Sequence, residues 1–328
     1  MRLLTRVALA LTSAAALAST VATTASAQNF PSRPITWVVG FTPGGISDNG
    51  ARFVAKVFGE KLGQPVIVEN KPGAGGIVAA EYVANAKPDG YTILYAANGV
   101  MGTYVSLYKK LSYDPFKSFT LIHGFGSSPL VLVVPKTSPF KSLKDLVDFA
   151  KKNPEKLTYA SVGSGTAQHL TPELMAKHTD IKLTHVPYKG STPGMTDMLG
   201  GRIDFMFDYS IIVKPQIEGD KLIALAQTGA KRMVSHPDVP TFADLGYPDV
   251  QFTAWATVVG PAGMPQDIVD KLGKAFNEAL KDPSVIKYHD DQGVTLMPDV
   301  GPEKLKDFIV KEQAKFKDII ERTGASAE

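Results

Sequence analysis

From Phe30 onward, short apolar runs alternate with amphipathic segments, and many of the joints between them are rich in glycine. That alternation predicts an α/β architecture, with strands buried in a sheet and helices packed on its faces. The first unit shows the pattern. Ile35-Thr36-Trp37-Val38-Val39 reads as a strand, Ala51 to Leu62 reads as a helix, and Phe41-Thr42-Pro43-Gly44-Gly45-Ile46-Ser47-Asp48-Asn49 joins them. Pro43 stops the strand. Gly44 and Gly45 can take φ > 0 and carry no Cβ, so a ligand can approach the backbone closely. Ser47 is a candidate N-cap, with Asp48 in the first turn. Free N–H groups and the positive end of the helix dipole then face one point, which suits an anion. The same features also suit an ordinary tight βα turn.

Further strands are expected at 65–69, 91–96, 119–125, 130–134, 157–160, 182–186, 203–207, 222–227 and 251–260, with 126–128 as a break between two of them. Helices are expected at 77–86, 143–152, around His169, at 265–280 and at 302–322. Ser142 opens the second of these with a capping-box variant. The block 129–250 is βαβ-rich by itself. This predicts two α/β domains, the second (129–250) inserted into a discontinuous first (28–128 and 251–328). Strands near Leu130 and Phe252 would form the hinge, and the ligand cleft would lie between the domains.

Composition narrows the chemistry. The chain has 328 residues and no Cys, which removes thiol catalysis, disulfides and Cys-based zinc sites. A formal charge of +3 is too small to argue for nucleic acid. Arg2 and Arg6, the apolar run from Val7 to Leu17 and Ala25-Ser26-Ala27 read as a secretory signal peptide over 1–27, cut after Ala27. Thr12 and Ser13 interrupt the run, which is well short of the roughly 20 residues that span a membrane. Removing 1–27 takes Arg2 and Arg6 from the formal +3 and leaves +1.

No catalytic or cofactor motif is complete. Gly45-Ile46-Ser47-Asp48-Asn49 fails the nucleophile elbow at Asn49, and Ser164 lacks the flanking spacing. There is no phosphate-binding G-x-x-x-x-G-K-[ST], and Gly73-Ala74-Gly75-Gly76 does not complete a dinucleotide fingerprint. The six His show no metal-ligand spacing. His169, near a helix start, reads either as a packing or capping histidine or as a ligand contact. Four loops rich in small polar residues remain at strand ends. They are 41–49, 97–102 (with Asn98 and Gly99), 161–168 (with Ser164, Gly165 and Thr166) and 187–192 (with Tyr188, Lys189 and Gly190). Asp208 ends a strand toward the same cleft, as a turn residue or a ligand contact. Phe41, Tyr188, Tyr209 and Trp255 could wall the pocket or belong to the core.

Several stretches then match one pattern in order and spacing. They are Phe30-Pro31-Ser32-Arg33-Pro34-Ile35, Phe41-Thr42-Pro43-Gly44-Gly45, the run from Leu62 to Gly76, Lys87-Pro88-Asp89-Gly90-Tyr91-Thr92, His185-Val186-Pro187-Tyr188-Lys189-Gly190 and Met206-Phe207-Asp208. Nearly the whole chain after residue 27 resembles the periplasmic substrate-binding proteins of tripartite tricarboxylate transporters, the Bug (Bordetella uptake gene) family. The resemblance implies a two-domain type II periplasmic-binding fold. It also implies a carboxylate ligand held by loops of both domains through backbone amides and bridging waters. A monomer that hands its ligand to membrane permease subunits, with no chemistry and no cofactor, is the accompanying expectation. Three places depart from the family's usual residues: Ile46 where Ser, Gly or Thr is usual, Ala97-Asn98-Gly99 where Thr-Ser-Gly is usual, and Tyr209-Ser210 after the Phe-Asp pair. All three bear on which acid is bound. A partner of a membrane sensor, or a secreted serine hydrolase using Ser47 or Ser164, are the competing readings.

Overall fold

The computed structural model describes residues 30–323, so the segment read as a signal peptide lies outside the described residues. The first half of the chain builds β1 (Ile35–Val39), α1 (Ile46–Leu62), β2 (Val66–Asn70), α2 (Ile77–Ala84), β3 (Thr92–Ala97), a π turn (Gly99–Thr103), α3 (Tyr104–Leu107) and β4 (Phe119–Pro129). The inserted part holds β5 (Val131–Pro135), α4 (Leu143–Lys152), β6 (Thr158–Ser161), α5 (Ala167–Thr179), β7 (Thr184–Pro187), α6 (Ser191–Leu199), β8 (Phe205–Asp208), α7 (Ser210–Glu218) and β9 (Leu222–Gln227). The chain then returns through β10 (Thr253–Pro261), α8 (Gln266–Leu280), α9 (Pro283–Asp291), β11 (Thr295–Leu296) and α10 (Pro302–Thr323).

These elements form two sheets. The first has the order β11-β4-β10-β3-β1-β2 and the second β7-β6-β8-β5-β9. In the first, β2, β1 and β3 run parallel, and β10 inserts antiparallel between β3 and β4. In the second, β7, β6 and β8 run parallel, and β5 lies antiparallel between β8 and β9. The near-continuous apolar run of β1 suits a strand covered on both faces. Trp37 faces one layer, edge-on to Phe58 of α1 and Phe276 of α8. Val38 faces the other, in a core that takes in Phe316 of α10 and Phe205 and Phe207 of the second sheet. The chain crosses between the sheets at Leu130 and returns at Phe252.

The long helices match the apolar periodicity closely, and α4 starts at its Ser142 cap, whose hydroxyl accepts the Asp145 N–H. Other boundaries need correction. Helix α1 begins at Ile46 with Gly45 as N-cap, so Ser47 lies inside the helix. The turn before it is closed by Asp48, whose Oδ2 accepts the Gly44 N–H at 2.9 Å. The expected break at 126–128 is absent. Strand β4 runs through it because β10 pairs along it, with two register shifts that absorb the irregularity. The expected loop at 97–102 tightens into the π turn. Helices α3, α6, α7 and α9 were not anticipated. Pro193 and Gly194 in α6 and Pro215 in α7 obscure their periodicity.

A candidate ligand cleft between the sheets

A cleft of about 830 Å³, counting the space at its open mouth, lies between the two sheets. The first sheet's side supplies loop 41–47, the end of β3 with Asn98 and Gly99, and parts of β4, β10 and α9. The second side supplies the starts of α5, α6 and α7. Four helix N-termini therefore meet one space. Ile46 and Ser47 come from α1, Ala167 and Gln168 from α5, Ser191 from α6 and Ile211 from α7. None of the four carries a side-chain cap. Thr166 sits at the N-cap of α5 but turns its hydroxyl to the Gly163 carbonyl at 2.6 Å. Among helices whose first turns do not line the cleft, α4 and α9 are capped by Ser142 and Asp282, while α2 and α8 are uncapped. Uncapped N-termini leave N–H groups and the dipole available to an anion.

Side chains add to this. Thr42 Oγ1, Asn98 Nδ2 and His289 Nε2 belong to cleft-lining residues, are buried, and have no hydrogen-bond partner among the described residues. Buried polar groups normally find partners, so three orphans around one space mark it as built for a polar occupant. Phe41, Ile46, Tyr95, Phe125 and Trp255 supply apolar wall. The Trp255 indole N–H is already spent on Glu312 Oε2 of α10 at 2.8 Å, so its ring, not its donor, serves the cleft.

Of the residues singled out from sequence, the cleft is lined by Phe41, Gly45, Ile46, Ser47, Asn98, Gly99, Thr166, Tyr209 and Trp255. The others lie beside it. Pro43 and Gly44 are exposed at the rim, and the Pro43 carbonyl accepts the Thr192 hydroxyl at 3.4 Å. Asp48 is committed inward, its Oδ1 accepting from Arg52 and Asn70 at 2.9 Å each. Gly190 abuts loop 41–49 across the cleft, where a Cβ would stand 2.0 Å from Thr42 Oγ1. A second bridge is made by Gly163, where a Cβ would stand 2.8 Å from the Gly75 backbone. These two close approaches hold the rims of the cleft together.

Ser164 and Gly165 form the turn behind. Gly165 packs on Tyr104 and Leu107 and donates its N–H to His169 Nδ1 at 2.9 Å. That bond makes Nδ1 an acceptor and leaves the imidazole proton on Nε2. Burial, reinforced by the His185 ring at 4.2 Å, pushes His169 down to about 3. His169 is thus a neutral support for the loop. Tyr188 donates to Asp197 at 2.8 Å, outside the cleft, and Lys189 is exposed. Asp208 is wholly buried, with Gln168, Ser191 and Tyr209 of the cleft wall around its carboxyl. Its Oδ1 accepts from the Tyr209 N–H at 2.9 Å and from Gln168 at 3.3 Å, while Oδ2 has no partner. Burial pushes this carboxyl up to about 6, and the neighbouring donors lower it less. Neither Ser47 nor Ser164 hydrogen-bonds a histidine among the described residues.

Gln168, Ser191, Tyr288 and His289 line the cleft without having been singled out. For the last two a signal existed: Asp282-Pro283 is a cap and first-turn pair that announces α9.

A family described as the tripartite tricarboxylate transporter family receptor matches residues 50–325. The chain belongs to this family. Among solved structures, the receptor is similar to the periplasmic binding protein BugD, at 34% identity and a TM-score of 0.87, covering 90% of this chain and 99% of that one. It is similar to MatC from Rhodopseudomonas palustris, solved with bound malate, at 32% identity and a TM-score of 0.84, covering 89% and 100%. It is also similar to R. palustris Rpa4515, solved with adipate, at 32% identity and a TM-score of 0.87, covering 90% and 99%. The receptor has the type II periplasmic-binding fold: two α/β bodies joined by a two-strand hinge, with the ligand cleft between them.

Proposed function

We propose that the receptor captures a small organic acid in this cleft, in the periplasm, and delivers it to the membrane permease of a tripartite transporter. The carrying observation is the convergence of four uncapped helix N-termini on a space ringed by orphaned polar atoms. The malate and adipate held by relatives support an acid with two carboxylates. The polypeptide would be cut after Ala27 and act as a monomer, with lobes at 28–128 plus 251–328 and at 129–250.

Magnitudes shape the ligand. One helix N-terminus stabilises an anion by roughly 0.3–2 kcal/mol. A micromolar ligand needs about 8 kcal/mol. Helix ends leave a remainder for Asn98, Thr42, bridging waters and contact with the apolar wall. Ile46 stands at the first turn of α1 inside that wall, where the family resemblance puts Ser, Gly or Thr. It favours an acid with a methylene chain over a heavily hydroxylated one.

A thermal-shift screen against dicarboxylic, aromatic and amino acids tests this. A ligand at about 100 times its dissociation constant adds roughly 2.7 kcal/mol. Stabilisation by one or more acids supports the proposal. A panel in which sugars or metal ions stabilise and no acid does defeats it.

A further inference from the structure

His289 is 1% exposed and sits near the end of α9. Its Nδ1 lies 2.8 Å from the Val285 carbonyl, an acceptor only, so Nδ1 carries the proton and donates. Nε2 is then left as an acceptor, and it has no partner. The space in front of it depends on Gly50, one turn into α1. A Cβ at Gly50 would stand 3.5 Å from Nε2 and 3.5 Å from Phe125 Cζ. Glycine is a poor residue for a helix interior, and here the place its Cβ would take lies between α1, Nε2 and the Phe125 ring. Gly50, Ile46 and Ser47 share that wall, so His289 stands behind the positive end of α1.

We propose that His289 is a ligand-contacting residue that takes up a proton as an acid group of the ligand arrives and binds its carboxylate through Nε2–H, in the space Gly50 leaves open. The inference rests on the organic-acid reading above. One proton passes from solvent to Nε2, no covalent bond of the ligand changes, and the pair that results is imidazolium with carboxylate. In the empty cleft burial lowers the basicity of His289, which keeps the ring neutral near pH 7. An adjacent carboxylate reverses that by favouring the charged form. Burial is the chief influence against the proton. Phe53 of α1, Phe125 of β4 and Tyr288 of α9 press uncharged rings on it. Asp290 on its own helix is a charged group whose field reaches it, and it favours the proton. The site therefore selects a carboxylate over an amide of the same shape, because the amide cannot draw the proton in.

Isothermal titration of the full-length receptor near neutral pH, in phosphate and in Tris, counts protons by the difference in apparent enthalpy. The titrants are adipate and malate, or the strongest stabiliser from the acid screen. Wild type takes up about one proton per ligand. His289→Gln binds about tenfold more weakly with no uptake. Gly50→Ala, whose Cβ meets only ordinary contact distances, keeps or raises its melting temperature and also loses affinity. Long-range proton–nitrogen spectra of the wild-type histidines give an independent reading: Nε2 of one ring changes from acceptor to protonated type when ligand is added. Binding with equal enthalpies in both buffers overturns the inference while leaving the acid reading intact. Undiminished uptake in His289→Gln does the same, since it moves the proton elsewhere, to Asp208 for instance. Absence of any acid ligand in the screen overturns both.

Discussion

The Thr228 hydroxyl donates to the Phe252 carbonyl at 2.6 Å. The same oxygen accepts the Leu130 N–H at 2.8 Å. Backbone bonds run alongside, from Thr228 N to Leu130 O at 2.9 Å and from Phe252 N to Thr228 O at 3.2 Å. One buried side chain thus ties together both segments that cross between the lobes.

Thr228→Val keeps the shape and removes both side-chain bonds. It leaves the Leu130 N–H and the Phe252 carbonyl short of partners, at a cost of about 1–3 kcal/mol. Chemical denaturation is the measurement. Thr228→Ser should recover most of the loss, and a valine variant as stable as wild type would remove Thr228 from the hinge.

Asp48 holds the loop before α1 through Gly44, Arg52 and Asn70. Asp48→Ala should cost about 1–3 kcal/mol of stability. It should also weaken acid binding, because the turn bearing Gly45 and Ile46 loses its anchor. Titration at a temperature where the variant is fully folded separates the two effects; unchanged affinity there would reduce Asp48 to a stability residue.

Gly190 and Thr42 meet across the rim with no room for a Cβ. Gly190→Ala should hold the lobes apart and weaken ligand binding by about tenfold or more, with far-UV circular dichroism unchanged. Small-angle scattering would show a larger radius with ligand present than wild type has. Identical scattering would mean that the rim contact yields easily.

Acid should destabilise the receptor. Burial lowers His169 to about 3 and His185 to about 4, against about 6.5 in an unfolded chain. Their contribution is whole above about 6.5 and disappears as pH falls through the folded values, because the unfolded chain then binds more protons. His123, His236 and His289 are shifted by burial in the same direction. Asp208 runs the other way: raised from 3.8 to about 6, its contribution is whole below 3.8 and lost as pH rises through 6. Glu173, also raised by burial, runs the same way as Asp208, and the five histidines outnumber the two carboxyls. The melting temperature should fall on going from about pH 6.5 to about 4.5. Asp208→Asn should fall more steeply, since one opposing carboxyl is gone. A melting temperature that is flat or rises toward acid contradicts this assignment.

The α/β alternation and the two crossings were legible because strand burial and helix amphipathicity write directly into residue order. Loop 41–49 was legible as a glycine turn before a helix. Its partner across the cleft was not, since nothing local says that Gly190 touches Thr42. His169 drew attention as a histidine at a helix start, yet its Nδ1 is taken by Gly165. His289, in a short helix whose period is hard to see, lines the cleft. Which side of an element faces a shared space is decided by tertiary packing, and a single sequence carries little of it.

The position of β10 has a kinetic consequence. It joins β3 to β4 in the middle of the first sheet, yet it follows the whole inserted lobe in the chain. The strands β5 to β9 are contiguous and can assemble as they emerge. The first sheet stays split until Thr253–Pro261 arrives, and pairing this distant makes for slow closure. Until then the walls at 41–47 and 95–99 have no floor, so a chain lacking its last quarter can hold no ligand. Closure of the first sheet, and with it the cleft, waits on a strand made after the whole inserted lobe.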